Sequence, residues 1–104
     1  MAAAVVVLTS VGSAAQDPVA TGAKVYAAQK CSMCHSIAAK GNTKGPLDAV
    51  GSTLSEAELR EWIVDAKGMT TKKKAPRKPA MRQYDLPKED VDALVAYLST
   101  LKKK

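Results

Sequence analysis

Residues Cys31-Ser32-Met33-Cys34-His35 constrain this chain more than any other five, because they hold both of its cysteines and its only histidine. Two thiols at this spacing can add to two vinyl groups on one edge of a porphyrin. The next residue can then turn its imidazole onto the iron from one face. The C-x-x-C-H spacing therefore reads as a covalent haem attachment. Rival chemistries fail on residue supply. A structural zinc site needs four nitrogen or sulfur ligands, and the chain offers two Cys and one His. A thioredoxin-like dithiol calls for a βαβ context, which the sequence does not show. A plain disulfide leaves His35 unexplained. The expected cofactor is one covalent haem c with its iron, held by Cys31 and Cys34 and ligated by His35.

A chain of 104 residues has room for one domain. A domain this small buries a modest share of its surface, so a bound apolar group often helps to hold it together. With no Phe, one Trp and three Tyr, the chain's own aromatic core is thin.

Residues 1–15 carry no charged side chain and end in Ser13-Ala14-Ala15. They resemble the end of a secretory signal peptide cut before Gln16, although a basic start is missing. The alternative is a disordered tail. The segment is too short to span a membrane, and residues 16–104 are left as the folded domain.

The rest reads as all-α, with three main helices and long loops. The first helix starts near Thr21 as N-cap and carries Val25, Tyr26 and Ala28 toward the cysteines. The second has Ser55 and Glu58 at capping-box spacing, with Leu54 and Leu59 placed as a hydrophobic staple. Leu59, Trp62, Ile63 and Ala66 share one face, and Gly68 is the expected stop. The third starts around Pro87 and repeats Val91, Leu94, Val95, Leu98 and Leu101, with Lys102 to Lys104 finishing it. Residues 41–51 and 69–84 read as loops.

His35 supplies one axial ligand, so the other comes from elsewhere, and methionine is the natural candidate. Met1 lies in the signal-like segment and Met33 inside the attachment loop, which leaves Met69 and Met81. Either could instead fill a core gap.

From about Asp17 to Leu101 the chain resembles a class I c-type cytochrome, the small single-haem carriers of bacterial respiratory chains. That family places its distal methionine in a Pro-containing loop before the last helix. Pro79-Ala80-Met81, followed by Tyr84-Asp85-Leu86, matches, so the resemblance implies Met81 as axial ligand. The family's Gly-Pro after the haem motif matches Gly45-Pro46-Leu47, which implies that the Pro46 carbonyl accepts a hydrogen bond from His35. Gly22, Tyr26 and Tyr97 match the crossing of first and last helices. Trp62 packs on the haem edge, bonds a propionate or belongs to the core. Arg82 follows Met81 where the family often has proline.

The resemblance implies a soluble electron carrier and not an enzyme, since two protein ligands leave the iron no open site. The alternative is a haem-c catalytic or ligand-binding module, peroxidase-like or gas-sensing, with a labile sixth ligand. The net charge is +6, and Lys67, Lys72, Lys73, Lys74, Arg77, Lys78 and Arg82 fall in a stretch without acidic residues. These cations are expected to steer the protein, as a monomer, onto acidic patches of a terminal oxidase or reductase complex. Otherwise they are a solvated loop. Nucleic-acid binding lacks a supporting motif, and a periplasmic or otherwise exported location is expected.

Overall fold

The computed structural model describes residues 17–103. The expectation of a signal-peptide remnant or tail over residues 1–15 lies outside the described residues. Helix α1 spans Pro18–Ala28 and α2 spans Val50–Thr53. Helix α3 spans Glu56–Val64, α4 spans Ala66–Lys72 and α5 spans Lys88–Ser99. A 3₁₀ turn covers Cys31–Met33. The all-α expectation holds, with one addition: β1 (Ser36–Ile37) and β2 (Lys40–Gly41) form a two-stranded antiparallel ladder.

Local chemistry moves several expected boundaries. Helix α1 begins at Pro18, not near Thr21. Asp17 is its N-cap, accepting from the Val19 N–H at 3.0 Å, and proline in the first turn gives up no needed donor. Ser55 and Glu58 make the expected capping box, each side chain bonded to the other's backbone N–H at 3.1 Å. Gly68 is not the stop. The chain breaks at Asp65, whose carboxylate caps a new helix by accepting from the Gly68 N–H at 3.1 Å. Met69, read as loop, thereby becomes helical.

Helix α5 stops at Ser99, before Lys102 and Lys103, which are expected to help finish it; Lys104 lies outside the described residues. Lys102 instead donates from Nζ to the Gly51 carbonyl at 2.9 Å, and the Lys103 N–H bonds Ser52 Oγ at 2.8 Å. The residues after α5 form a strap that holds α2.

The core lies where α1 and α3 both pack on α5. Val25, Leu59, Ile63, Val91, Leu94, Val95 and Leu98 are buried together. Helices α1 and α5 cross at Gly22, where a Cβ would overlap the Ala93 carbonyl and the Tyr97 side chain. One turn on, Tyr26 and Tyr97 meet edge to face with ring centroids 5.9 Å apart, a favoured geometry. The placement of Gly22, Tyr26 and Tyr97 thus agrees with the sequence reading. Among the described residues, no helix is long and apolar enough to cross a membrane.

Candidate haem site

The attachment segment takes its shape from a sharp exit of α1. Lys30 adopts a left-handed conformation (φ 57°), which ends the helix and starts the 3₁₀ turn. The Cys31 carbonyl then accepts from the Cys34 N–H at 3.1 Å and the His35 N–H at 2.9 Å. Asn42 closes the loop from outside. Its N–H bonds the Ser32 and His35 carbonyls at 3.0 Å, and its Nδ2 donates to the Met33 carbonyl at 3.2 Å. Sequence reading missed Asn42, since an Asn beside a Gly reads only as a turn. Gly41, between Lys40 and Asn42, sits at φ +104°, and any Cβ there would overlap the His35 carbonyl.

Cys31, Cys34 and His35 all open onto one cavity. Its walls are Leu59, Trp62 and Ile63 of α3, Leu94 and Leu98 of α5, Leu47, Val50 and Leu54 around α2, and Pro79, Ala80 and Met81 from the loop before α5. The space not filled by atoms is about 1050 Å³, part of it open to solvent. Met81 and Trp62 therefore belong to the same cavity as the attachment motif. Met69 does not. It sits in α4 at 2% exposure, in the gap-filling role.

Pro46 does not line the cavity, and its carbonyl is not the partner of His35. The ring Nδ1 lies 3.0 Å from the carbonyl oxygen of Gly45, one residue earlier. The reason is the backbone path. Ser36, 2% exposed, donates its N–H to the same Gly45 carbonyl at 3.1 Å and accepts from the Leu47 N–H at 2.8 Å. That parallel bridge turns the Gly45 carbonyl inward. A carbonyl only accepts, so Nδ1 carries the proton and Nε2 keeps a free lone pair. Burial, with the nearby Arg77 charge, pushes the His35 pKa below its ordinary value, although the Gly45 bond opposes this. The ring is thus a neutral imidazole suited to bind a metal.

These residues fit a haem. Both cysteines are free thiols, and burial raises the pKa of Cys31. The walls are almost wholly apolar, as a porphyrin face needs. Among the described residues the Tyr26 hydroxyl is the buried side-chain polar atom without a partner, and Tyr26 lines this cavity. Burial is the main cause that pushes its pKa up to about 12. No group of three or more His, Cys, Asp or Glu side chains that could hold another metal occurs among the described residues.

The cationic stretch divides in two. Lys72 and Lys73 pair with Glu61 and Glu58 of α3 at 3.8 and 3.7 Å. Arg77 donates to the Cys34 carbonyl, and Arg82 lies over the Tyr84 ring. Lys67, Lys74 and Lys78 are exposed, without an ion pair among the described residues.

A family model described as Cytochrome c matches residues 19–102. No curated protein and no solved structure matches significantly. The matched span runs from the first turn of α1 to the strap after α5, so it takes in the attachment motif, every wall of the cavity and the helix crossing. On that footing the chain belongs to the cytochrome c family.

Proposed function

We propose that this haem-binding electron-transfer protein is a one-electron carrier whose iron takes His35 on one face and Met81 on the other. The observation that carries the reading is that Met81 lines the same apolar cavity as Cys31, Cys34 and His35, whereas Met69 is buried in α4. When bound, the haem supplies a one-electron couple at its iron. A His/Met pair suits the higher-potential part of a respiratory chain.

The chain's own residues do the rest. The cysteines would fix the porphyrin edge, and the Gly45 carbonyl holds the His35 ring through Nδ1, which leaves Nε2 as the nitrogen able to bind the iron. The α3 and α5 side chains keep water away, so little reorganises when charge moves. Two protein ligands would leave no coordination site for a substrate, which supports a carrier and not an enzyme.

The partners on this reading are redox proteins with acidic docking surfaces, such as a terminal oxidase or a reductase complex. Lys67, Lys74 and Lys78 supply the steering charge as the protein, a monomer, approaches them. The signal-like start and the covalent attachment support a periplasmic or otherwise exported location.

The test is the ferric spectrum of the haem-loaded protein beside Met81→Ala. A weak far-red sulfur–iron band that disappears on substitution supports the carrier. If that band is missing from the parent, the sixth position is open and a peroxidase-like or gas-sensing module becomes the better reading.

A further inference from the structure

The segment that carries Met81 is held in an unusual way. Among the described residues, no backbone N–H or carbonyl of residues 76–86 enters a backbone–backbone hydrogen bond. The last such bond before it is Ala75 N–H to the Thr70 carbonyl at 3.0 Å, and the next involves the Pro87 carbonyl. Its hydrogen bonds among the described residues run through side chains. Arg77 donates from its guanidinium to the carbonyl of Cys34, the residue just before His35. Gln83 uses both ends of its amide at the α3–α4 junction. Its Oε1 accepts from the Lys67 N–H at 3.2 Å, and its Nε2 donates to the Val64 carbonyl. Arg82 adds a longer contact of 3.4 Å to the Gln29 carbonyl, at the end of α1.

These attachments bracket Met81. Arg77 precedes it and ties the loop to the attachment motif. Gln83 follows it and ties the loop to the break between α3 and α4. A loop without backbone bonds has little stiffness of its own, so its side-chain anchors decide how often it moves.

We propose that Arg77 and Gln83 are positioning residues that clamp this segment across the cavity and set how firmly Met81 holds the iron. The proposal rests on the His35/Met81 reading. An external ligand can take the sixth position only while Met81 is off, so its apparent affinity scales with the fraction of protein in that state. Losing one anchor should raise that fraction about five- to tenfold, the range expected of a modest hydrogen bond.

The experiment is imidazole binding to the ferric haem-loaded protein, followed by absorbance, together with the far-red band. The variants are Gln83→Met, which keeps the length and loses both bonds, Arg77→Met, and Arg77→Lys, which keeps charge and one donor. Ser55→Ala, which removes a bond to Glu58 at the start of α3 and none of the bonds of Arg77 or Gln83, serves as a control that loosens the fold. The expected result is a rise of about five- to tenfold in apparent imidazole affinity for Gln83→Met and Arg77→Met. Arg77→Lys should recover part of it, and Ser55→Ala should stay at the parental value. Should Gln83→Met fail to take up haem, Gln83→Glu loses only the donor to Val64 and carries the same expectation.

Parental affinity in the Gln83 and Arg77 variants, with the far-red band intact in the parent, overturns the clamp and leaves the His35/Met81 reading standing. An equal rise in Ser55→Ala also overturns it, since general loosening would then explain the effect. Absence of the band from the parent overturns both readings.

Discussion

His35 Nδ1 and the carbonyl oxygen of Gly45 lie 3.0 Å apart, and the same oxygen accepts the Ser36 N–H at 3.1 Å. One backbone atom thus orients the imidazole and anchors the residue that follows it. Tautomer, ring plane and loop path are coupled at a single point, so a change at Gly45 disturbs all three.

Gly45→Ala and Pro46→Ala should therefore differ. A Cβ on Gly45 would overlap the Cys34 carbonyl and the Arg77 guanidinium. The expected cost is about 1–3 kcal/mol in denaturant unfolding of the haem-loaded protein, the range for overpacking. Pro46→Ala leaves the acceptor in place and should cost less than about 1 kcal/mol, mainly through a freer unfolded chain.

Gly22→Ala should destabilise despite the better helix propensity of alanine. The gain within α1 is about 0.5–1 kcal/mol. A methyl group here would meet the backbone of Ala93 and the Tyr97 side chain, and neither can retreat without parting α1 from α5. A net loss of roughly 1–3 kcal/mol is expected in the same unfolding assay.

Met69→Ala and Met81→Ala should fail in opposite ways. Met69 is 2% exposed, so truncation should cost about 2–5 kcal/mol of stability and leave the far-red band in place. Met81→Ala should lose the band. A Met69→Ala spectrum without it would make Met69 the ligand.

Acid should weaken the fold through Glu58 and Asp92. Backbone and side-chain bonding to Ser55 lowers the Glu58 pKa, and bonds from Lys88 and Arg60 lower that of Asp92. A carboxylate whose folded pKa is depressed contributes stability above its unfolded pKa and loses it as pH falls through the folded value. Asp92→Asn should thus lower Tm at neutral pH, and the gap should narrow as pH falls below the ordinary carboxylate range and through the depressed folded value. Both groups are exposed, so added salt should also narrow the gap.

Electron transfer to an acidic redox partner should depend on ionic strength more through Lys74 and Lys78 than through Lys72 and Lys73. Converting both to Gln should flatten the plot of log rate against ionic strength more than the same change at Lys72 and Lys73. The latter pair already face Glu61 and Glu58 at 3.8 and 3.7 Å, which offsets part of their field. Equal flattening by both pairs would refute this ordering.

Much of the chain was legible before folding because its signals are local. The Ser55–Glu58 box is decided within four residues, and the attachment motif within five. The apolar repeat of α5 states which side is buried. The errors came where two local signals competed. Thr21 and Asp17 both can cap a helix, and Pro18 favoured the earlier start. Gly68 can end a helix, but Asp65 reached its N–H and began another.

Covalent chemistry and helix faces were thus set by the sequence itself, because spacing and periodicity along the chain suffice for them. Three matters waited on tertiary structure. The acceptor for His35 is Gly45 and not Pro46, because the bridge from Ser36 turns that carbonyl inward. Met69 is core, because the break at Asp65 starts a second helix in which it is buried, and Met81 lines the cavity from the loop before α5. Arg77 and Gln83 serve the loop and not the solvent, because their acceptors lie 43 residues and 19 residues away in the chain. Contacts between residues so distant in sequence exist only once the helices have packed.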